Sequence, residues 1–402
     1  NSNAVDASTH RNAKALKSTN AKWEVTGSAK APLLMWYQQD DCKNKIAGFD
    51  LDHTLIKPKS GAKFPKNRSD WEYMGPANVI KMKLCKLHDE GYSIVAFTNQ
   101  AGIEKKKQKA SDIQGKIEDL ERDLGIPVHA LVACANDQYR KPATSMWKLL
   151  ETKYGGNLDR SESFYCGDAA GRPKGWKNGA PRDFSSGDRS FALNLGVRFY
   201  LPEELFFEED CSEIPFVLDG VDPKTFLEKK SKSTNTVSVP SKQEMVVFVG
   251  WPASGKSSLY RNHFAPVGYA HINRDTMGTK EKCLKEAKRA LESGKSVAID
   301  NTNPSTKDRK PYVDLAMAME VPVRCIRMGT SRDVAVHNNY YRVKETDGAV
   351  RRIPAVAYNM FNKNLEEPTV AEGFDSVEVV PFVPNFADED KRQLYLERVE
   401  KA

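Results

Sequence analysis

Several things are scarce or missing in this 402-residue chain, and each absence excludes something. No apolar run approaches the roughly 20 residues that a membrane-spanning helix needs. The opening Asn1–Ser2–Asn3–Ala4 lacks the charged-then-apolar pattern of a secretory signal. There is no Cys-x-x-Cys pair. Cys42, Cys85, Cys134, Cys166, Cys211, Cys283 and Cys325 are dispersed, which argues against a structural zinc or a disulfide framework and for a reducing compartment. A strong charge of either sign is missing too. The net charge of +7 is mild for this length, yet it leans towards a polyanionic partner such as nucleic acid. What is present, 40% hydrophobic and 29% charged residues, fits a soluble globular protein. The length suggests two or three domains, each able to bury a core.

The most informative stretch is Val246–Val247–Phe248–Val249–Gly250–Trp251–Pro252–Ala253–Ser254–Gly255–Lys256–Ser257. A β-branched run ends at a glycine, and Gly255–Lys256–Ser257 follows before a helix expected over about Lys256 to Asn262. This is the phosphate-cradling G-x-x-x-x-G-K-[ST] loop in its required strand–loop–helix setting. Its glycines let backbone N–H groups converge on phosphate oxygens. Lys256 supplies a charge for the β- and γ-phosphates, and Ser257 a hydroxyl for Mg²⁺. Gly250, Ser254, Gly255, Lys256, Ser257 and Ser258 are therefore the expected ATP-binding residues. A chance Gly-rich turn would not bring strand, motif and helix together.

Taken in order, residues 1–22 lack periodicity and are expected to be a disordered basic tail or a remnant of cloning. Trp23–Val25 and Leu33–Tyr37 read as two short strands around Gly27–Lys30. A buried strand over Ile46–Phe49 then delivers Asp50 and Asp52 past its C-terminal end, where α/β sheets bind ligands. Two carboxylates so placed point the same way and need a cation or a retained proton between them, unless they simply cap a turn. Strand Tyr92–Phe97 ends in Thr98–Asn99–Gln100, and strand His129–Cys134 precedes Tyr139–Arg140–Lys141–Pro142. Strand Ser163–Cys166 ends in Gly167–Asp168. Helical patterns over Val79–Glu90, Ala110–Leu124, Ser145–Lys153 and Asp188–Asn194 alternate with these strands, so the sheet is expected to be parallel and doubly wound.

Asp50–x–Asp52–x–Thr54, a strand-end Thr98, Lys141 and Gly167–Asp168, in that order on strand ends, resemble the haloacid-dehalogenase-like (HAD-like) phosphohydrolases over about residues 46–200. The resemblance implies Asp50 as nucleophile, forming an aspartyl-phosphate. It implies Asp52 as general acid to the leaving oxygen and then base to water. Asp50, the carbonyl of Asp52 and Asp168 are the implied Mg²⁺ ligands, and Thr98 and Lys141 the phosphoryl-oxygen contacts. Asp188 is expected either to orient Lys141 or the metal waters, or to cap a helix. His53 departs from the glycine that many members carry there and reads as a tolerated neighbour.

Pro202–Phe207 and Ile214–Phe216 close this half, and the Ser/Thr/Lys-rich stretch around Glu228–Lys242 reads as a linker. The expected domains are thus 23–217, a linker over 218–242, and 243–402. In the last of these, strand Tyr269–Asn273 runs into Asp275, a carboxylate that suits proton abstraction from an attacking hydroxyl or, alternatively, a helix N-cap. Strand Ser296–Ile299 ends at Asp300, placed to organise Mg²⁺. Arg332, Arg342, Arg351 and Arg352 cluster where a lid over the triphosphate is expected, with Arg342 the preferred phosphate contact. The overall expectation is α/β, with two doubly wound parallel-sheet domains.

The combination Gly48–Phe49–Asp50–Leu51–Asp52, Phe97–Thr98–Asn99–Gln100, Gly167–Asp168–Ala169–Ala170–Gly171–Arg172–Pro173, Asn273–Arg274–Asp275–Thr276, Ile299–Asp300–Asn301–Thr302–Asn303 and Ala371–Glu372–Gly373–Phe374 is similar to the bifunctional polynucleotide kinase 3′-phosphatases of DNA repair, over about residues 40–385. That resemblance implies removal of 3′-phosphates and ATP-dependent phosphorylation of 5′-hydroxyls, with Mg²⁺. It implies DNA nicks, gaps and breaks as substrates, a ligase or repair scaffold as partner, a nuclear location and a monomer. Animal members carry a forkhead-associated domain ahead of the phosphatase; the residues before Trp23 are too few for one, so the expectation is that this stretch lacks it, unless the sequence is a piece of a longer chain. Three rivals stand beside this reading: RNA end repair, a small-molecule kinase/phosphatase, and a scaffold with decayed sites. The basic run Lys105–Lys106–Lys107–Gln108–Lys109 argues against a small substrate, and the complete set of catalytic side chains against a scaffold. Phe64, in a Gly/Pro-bounded loop after the first motif, with Lys105, Lys107 and Arg140, is expected to rim the phosphatase mouth and hold a single strand. A core Phe beside a solvated charge run is the alternative.

Overall fold

The structure, a computed structural model, describes residues 22–28, 31–230 and 237–400. The expected tail, apart from its last residue Lys22, lies outside the described residues, as do Ala29, Lys30 and the middle of the expected linker. The chain divides into two compact units, Asn1–Leu218 and Asp219–Ala402.

The first unit is a seven-stranded sheet in the order β1-β2-β7-β6-β3-β8-β9. Its strands are β1 (Lys22–Ser28), β2 (Ala31–Tyr37), β3 (Lys45–Phe49), β6 (Tyr92–Asn99), β7 (Val128–Ala133), β8 (Phe164–Cys166) and β9 (Arg198–Tyr200). A separate small ribbon, β4 (Ile56–Lys57) with β5 (Glu72–Tyr73), stands outside it. From β7 to β9 the sheet is parallel. This is the expected parallel, doubly wound part; at the edge the two short strands read around Gly27–Lys30 add an antiparallel hairpin, β1 with β2, and β2 runs antiparallel to β7. A parallel return needs a crossover of a dozen residues or more; two residues separate β1 from β2, so only a hairpin is possible.

Period-two alternation splits the strands between two cores. Ala47, Phe49, Ile94 and Ala96 face Ile80, Leu84, Ile113 and Ile117 of the helices Ala77–Asp89 and Ala110–Leu124. Ile46, Val95 and Phe97 face Met146, Trp147 and Phe191 of the helices Ser145–Lys153 and Gly187–Leu195. After β3 the chain fills positions on one side of it (β6, β7) and then crosses to the other (β8, β9). The C-terminal end of β3 is therefore the topological switch point, where a cleft opens between diverging loops. Asp50 is the first residue beyond it.

The second unit is a five-stranded parallel sheet, β11-β12-β10-β13-β14. These strands are β10 (Met245–Val249), β11 (Ala270–Ile272), β12 (Val297–Ile299), β13 (Val323–Met328) and β14 (Ser376–Val380). Central β10 is buried throughout, as a strand covered on both faces must be. The helix after the phosphate loop is α-helical only over Lys256–Leu259 and continues as a π-type turn over Tyr260–Phe264. The expected linker also differs from expectation. Pro223–Lys230 is helical, Val237 is buried in the second unit's core, and the Ser238 carbonyl accepts from Arg324 Nη2 at 2.6 Å. The polar composition concealed two functions, an apolar plug and a backbone acceptor for a buried arginine. Among the described residues no helix is long and apolar enough to cross a membrane.

Arg309, with 0% exposure, ties the second unit together. Its Nε and Nη2 donate to the two carboxylate oxygens of Glu372 at 2.7 Å each, and Nη1 donates to the carbonyls of Asn303, Pro304 and Glu366. Removing one partner of such a buried pair leaves an uncompensated charge and costs about 3–5 kcal/mol. Glu372→Ala should lower the denaturant midpoint of the second unit by that equivalent and leave the first unit's transition in place. A loss under about 1 kcal/mol would mean that the carbonyls alone satisfy Arg309.

Two candidate active sites

In the first unit the pairing of β3 with β8 continues one residue past the strand, where Asp50 N–H donates to the Cys166 carbonyl at 2.9 Å. This holds Asp50 at the cleft floor. Opposite it stands Lys141, 2% exposed. Its Nζ donates to Asp50 Oδ1 (2.6 Å), Asp188 Oδ1 (2.8 Å) and the Tyr165 hydroxyl (2.7 Å), so all three donors are used. The backbone of Lys141 is clamped by Asn99, whose Oδ1 accepts its N–H and whose Nδ2 donates to its carbonyl. Asp188 is anchored separately by Ala169 N–H on Oδ2 at 3.0 Å. A Cβ on Gly167 would lie 2.5 Å from the Asp188 carboxylate, so only glycine permits this approach.

Asp168 is set by its N–H to Thr54 Oγ1 (3.1 Å) and by Arg172, which donates to its carbonyl and is itself held by Asp183 and Glu203. Asp52 points to a different partner. Its Oδ2 accepts from Gln100 Nε2 at 2.7 Å, and the same amide nitrogen donates to buried Thr98 Oγ1 at 2.9 Å. The two carboxylates of the first motif are thus separated, one to Lys141 and one to Gln100.

Carboxylate oxygens of Asp50, Asp168 and Asp188 lie within 4.8 Å of one another. Burial, with the Asp188 and Asp52 charges adding, pushes Asp50 up to about 7 against the opposing pull of Lys141. Burial and the charges of Asp50 and Asp188 hold Asp168 well above the usual carboxylate range. Burial works to lower Lys141, but Asp188 and Asp50 outweigh it and the net shift is upward. Hard oxygen donors with more negative charge than one lysine balances fit a divalent cation such as Mg²⁺. The structure thus places Asp188 in the donor set as well as on Lys141; its sequence position suggested only a supporting role. Phe64 is 73% exposed, with Lys63 Nζ 5.7 Å from its ring centre, so it is not a core residue. Lys105 and Lys107 are exposed, and Arg140 is half-buried and engaged. The loop bearing the lysines is tied to the segment before Arg140 by Glu104 N–H to the Cys134 carbonyl.

In the second unit a cavity of about 1120 Å³ is lined by the phosphate loop, Asp275, Asp300 and Arg342, with the aromatic residues Tyr341, Phe382 and Phe386 also in its wall. Gly255 has φ 98°, and a Cβ there would stand 2.7 Å from the Phe382 ring, so the loop requires glycine for both conformation and space. Lys256 Nζ donates to the loop's own carbonyls at Gly250 (3.0 Å) and Trp251 (2.7 Å). Burial brings it down to about 8, with Asp300 and Asp275 opposing. Asp300 Oδ2 accepts from Ser257 Oγ (2.6 Å), His271 Nε2 (2.9 Å) and Asn273 Nδ2 (3.3 Å). Burial works to raise Asp300, yet the hydrogen bonds from His271 and Ser257 and the charge of Lys256 leave it below the usual range.

Asn273, not Asp275, caps the helix Arg274–Met277, accepting Asp275 N–H at 2.7 Å. The Asp275 side chain lines the cavity instead. Of the four expected lid arginines only Arg342 lines the cavity. Arg332 reaches Asn359, Arg352 packs on Tyr340, and Arg351 offers its carbonyl to Arg342. Sequence reasoning missed Asn338, which donates to the Ala253 carbonyl of the phosphate loop (3.1 Å), and Tyr395, whose hydroxyl donates to Asn338 Oδ1 (2.9 Å). It also missed Tyr165 and His271. Asn99 and Asn273 lie inside the motifs themselves and could have been found; Tyr395 is 57 residues from its partner, with no local signal.

A carboxylate cluster bridged by lysine at the end of β3 and a phosphate loop after β10 define the class: a HAD-like phosphohydrolase followed by a P-loop kinase. Comparison with known proteins agrees. The family model for polynucleotide kinase 3 phosphatase matches residues 45–206, and an AAA domain model matches residues 245–368. The chain is 38% identical over 362 residues to the bifunctional polynucleotide phosphatase/kinase of Schizosaccharomyces pombe, covering 90% of this chain and 85% of that one. It is 29% identical over 215 residues to the polynucleotide 3′-phosphatase of Saccharomyces cerevisiae, covering 40% of this chain and 87% of that one. The chain belongs to the bifunctional polynucleotide phosphatase/kinase family.

The carboxylate cluster has a measurable consequence. With Asp50 raised from 3.8 to about 7, the folded state binds more protons than the unfolded state between those values. The group's contribution to stability is present below the lower value and is lost as pH rises through the upper one. In chelator at about pH 8, Asp50→Asn should therefore melt higher than the parent, with the gap closing towards about pH 5. Mg²⁺ should stabilise the parent more than the variant. A variant that melts lower at the alkaline pH would show that the lost Lys141 pairing outweighs the relieved repulsion.

Proposed function

We infer that this protein hydrolyses 3′-phosphate termini of polynucleotides and phosphorylates 5′-hydroxyl termini with ATP, DNA strand ends being the substrate class. The observation that carries this is the presence, in one chain of this family, of the Asp50–Lys141–Asp188 cluster on one sheet and the Gly250–Ser257 loop on another. Mg²⁺ dependence, a nuclear location and action as a monomer upstream of a ligase belong to the same proposal.

In the phosphatase reaction an Asp50 carboxylate oxygen attacks phosphorus, and the bond from phosphorus to the 3′ oxygen breaks. Asp52 gives its proton to that leaving oxygen. Asp52 then takes a proton from water, whose oxygen attacks the aspartyl-phosphate. The O–P bond to Asp50 breaks, and inorganic phosphate leaves. Gln100 holds one Asp52 oxygen and leaves the other for this proton traffic. Lys141 and Thr98 bind the phosphoryl oxygens as negative charge redistributes. Asp50, Asp168 and Asp188, with the Asp52 carbonyl, would hold Mg²⁺, which when bound supplies positive charge to the phosphoryl oxygens.

In the kinase reaction Asp275 accepts the proton of the 5′-hydroxyl as its oxygen attacks the γ-phosphorus of ATP. The N–H groups of the phosphate loop bind the triphosphate, and Lys256 exchanges the loop carbonyls for the β- and γ-phosphates. Ser257 and Asp300 would hold the Mg²⁺ that accompanies ATP, and Arg342 faces the triphosphate from the cavity wall. Phe64, Lys105, Lys107 and Arg140 form the proposed strand-holding rim of the phosphatase.

The test is a nicked DNA duplex carrying 3′-phosphate and 5′-hydroxyl, run beside its RNA counterpart and free sugar phosphates. Asp50→Asn should abolish 3′-phosphate release and leave 5′ phosphorylation within about threefold, and Lys256→Ala should do the reverse. Loss of both activities in each folded variant, or turnover confined to sugar phosphates, would refute the assignment. Phe64→Ala should weaken oligonucleotide dephosphorylation by about 1–3 kcal/mol through lost base stacking. It should spare a nucleoside 3′-monophosphate and leave the melting temperature unchanged. Equal losses on both substrates would remove Phe64 from the rim.

A further inference from the structure

The phosphate loop of the second unit is a glycine turn, and a glycine turn has little rigidity of its own. Its shape is set by what stands against it. One backing is polar: Asn338 holds the Ala253 carbonyl. The other is aromatic. The ring of Phe382 stands so close to Gly255 that a Cβ there would lie 2.7 Å from its Cδ2 and 3.1 Å from its Cε2. Gly255, at φ 98°, is the residue at which the loop turns into the helix that starts at Lys256. Phe382 lines the same cavity as Lys256 and Ser257.

Phe382 has no regular element to hold it, because it lies in the segment between β14 and the helix Glu389–Tyr395. Its support is another ring. Phe226, half-buried, stacks on it with ring planes 14° apart and ring centres 6.3 Å apart, the offset arrangement that aromatic pairs prefer. Phe226 itself lies outside the cavity wall. It belongs to the helix Pro223–Lys230, within the stretch whose composition reads as a linker. That helix is fixed at its start. Asp222 accepts from Lys224 N–H (3.2 Å) and Thr225 Oγ1 (3.0 Å), and it pairs with Arg398 near the chain end at 3.2 Å. Gly220 lies against the Val399 backbone, whose carbonyl would be 3.0 Å from an added Cβ. Pro223 is buried. A plain tether between two units needs none of these contacts, and gains nothing from an aromatic residue at position 226.

We propose that Phe226 is a positioning residue of the kinase site. By backing Phe382 it holds the phosphate loop at Gly255 in the shape that binds the triphosphate, so the segment joining the two units is a working part of the ATP site. The proposal rests on the reading of Gly250–Ser257 as the ATP loop. Phe226 touches no reacting atom. Its loss acts on how much of the free protein holds the loop ready for ATP, and not on phosphoryl transfer once ATP is seated. A loop that is in its binding shape only part of the time lowers apparent affinity by that fraction and leaves the bound complex unchanged.

The experiment uses the full chain, with ATP and a 5′-hydroxyl oligonucleotide as substrates. Phe226→Ala should raise KM for ATP by about 3–10-fold and keep kcat at saturating ATP within about twofold. KM for the oligonucleotide and the rate of 3′-phosphate release should not change. Phe226→Tyr keeps the ring and should keep the parent KM. Phe382→Ala should raise KM for ATP at least as much as Phe226→Ala, and the double variant no more than Phe382→Ala alone, because one ring acts through the other. Should Phe226→Ala lower the melting temperature of the second unit, Phe226→Leu carries the test, since it fills the volume without a ring. A raised KM for ATP at the parent's melting temperature then supports the proposal. Additive losses in the double variant, a fall in kcat without a change in KM, or an unchanged KM in the folded Ala or Leu variant would overturn it. A parent that transfers no phosphate from ATP would instead overturn the reading of the loop.

Discussion

The first unit depends on one ammonium group. Lys141 is fully enclosed, and its three donors go to Asp50, Asp188 and Tyr165. A lysine cannot be held ionised in such a place unless carboxylates surround it, and carboxylates cannot be gathered so closely without a cation among them. Each requirement justifies the other. Five chain segments converge on that point: the end of β3, the end of β6 through Asn99, the Lys141 turn, β8 through Tyr165, and the start of the helix Gly187–Leu195. The surplus of negative charge left after Lys141 is neutralised makes the cluster suited to a divalent cation and a phosphoryl group together.

The second unit meets a related constraint by different means. Its phosphate loop must present N–H groups to an anion, and so its carbonyls are turned inward. In this structure Lys256 satisfies two of them, Asn338 a third, and Thr330 a fourth at Ser254. Asn338 is fixed in turn by Tyr395 of the last helix, so the loop's shape depends on residues from the end of the chain. Asparagine is used repeatedly in this way. Asn99, Asn273 and Asn338 each place a catalytic or binding segment through the backbone, since a side-chain amide can donate and accept without adding charge.

Much of this was legible beforehand because the physics is local. Alternating apolar runs and helical periods located the parallel strands and their helices, since burial on two faces writes itself into nearest neighbours. Asp50, Asp52, Thr98 and Asp168 were recognisable because each sits at or just after a strand end within a short motif, and Lys141 because it follows β7 in the same ordered set of motifs. Less was legible where a long-range contact decided the outcome. The stretch around Val237 and Ser238 looks like a linker by composition, but one side chain fills a core and one carbonyl meets Arg324. The edge hairpin was visible as two strands, but their direction depended on the two residues between them.

By itself the sequence determined the two α/β units, the phosphate loop, and which carboxylates and lysines stand at strand ends. Those features follow from hydrophobic period, glycine placement and motif spacing, all of which act within a few residues. Only the tertiary structure decided that Asp188 joins Asp50 and Asp168, that Asn273 rather than Asp275 caps its helix, and that Phe64 is exposed. Charge, exposure and hydrogen-bond partnership depend on what the rest of the chain brings alongside a residue.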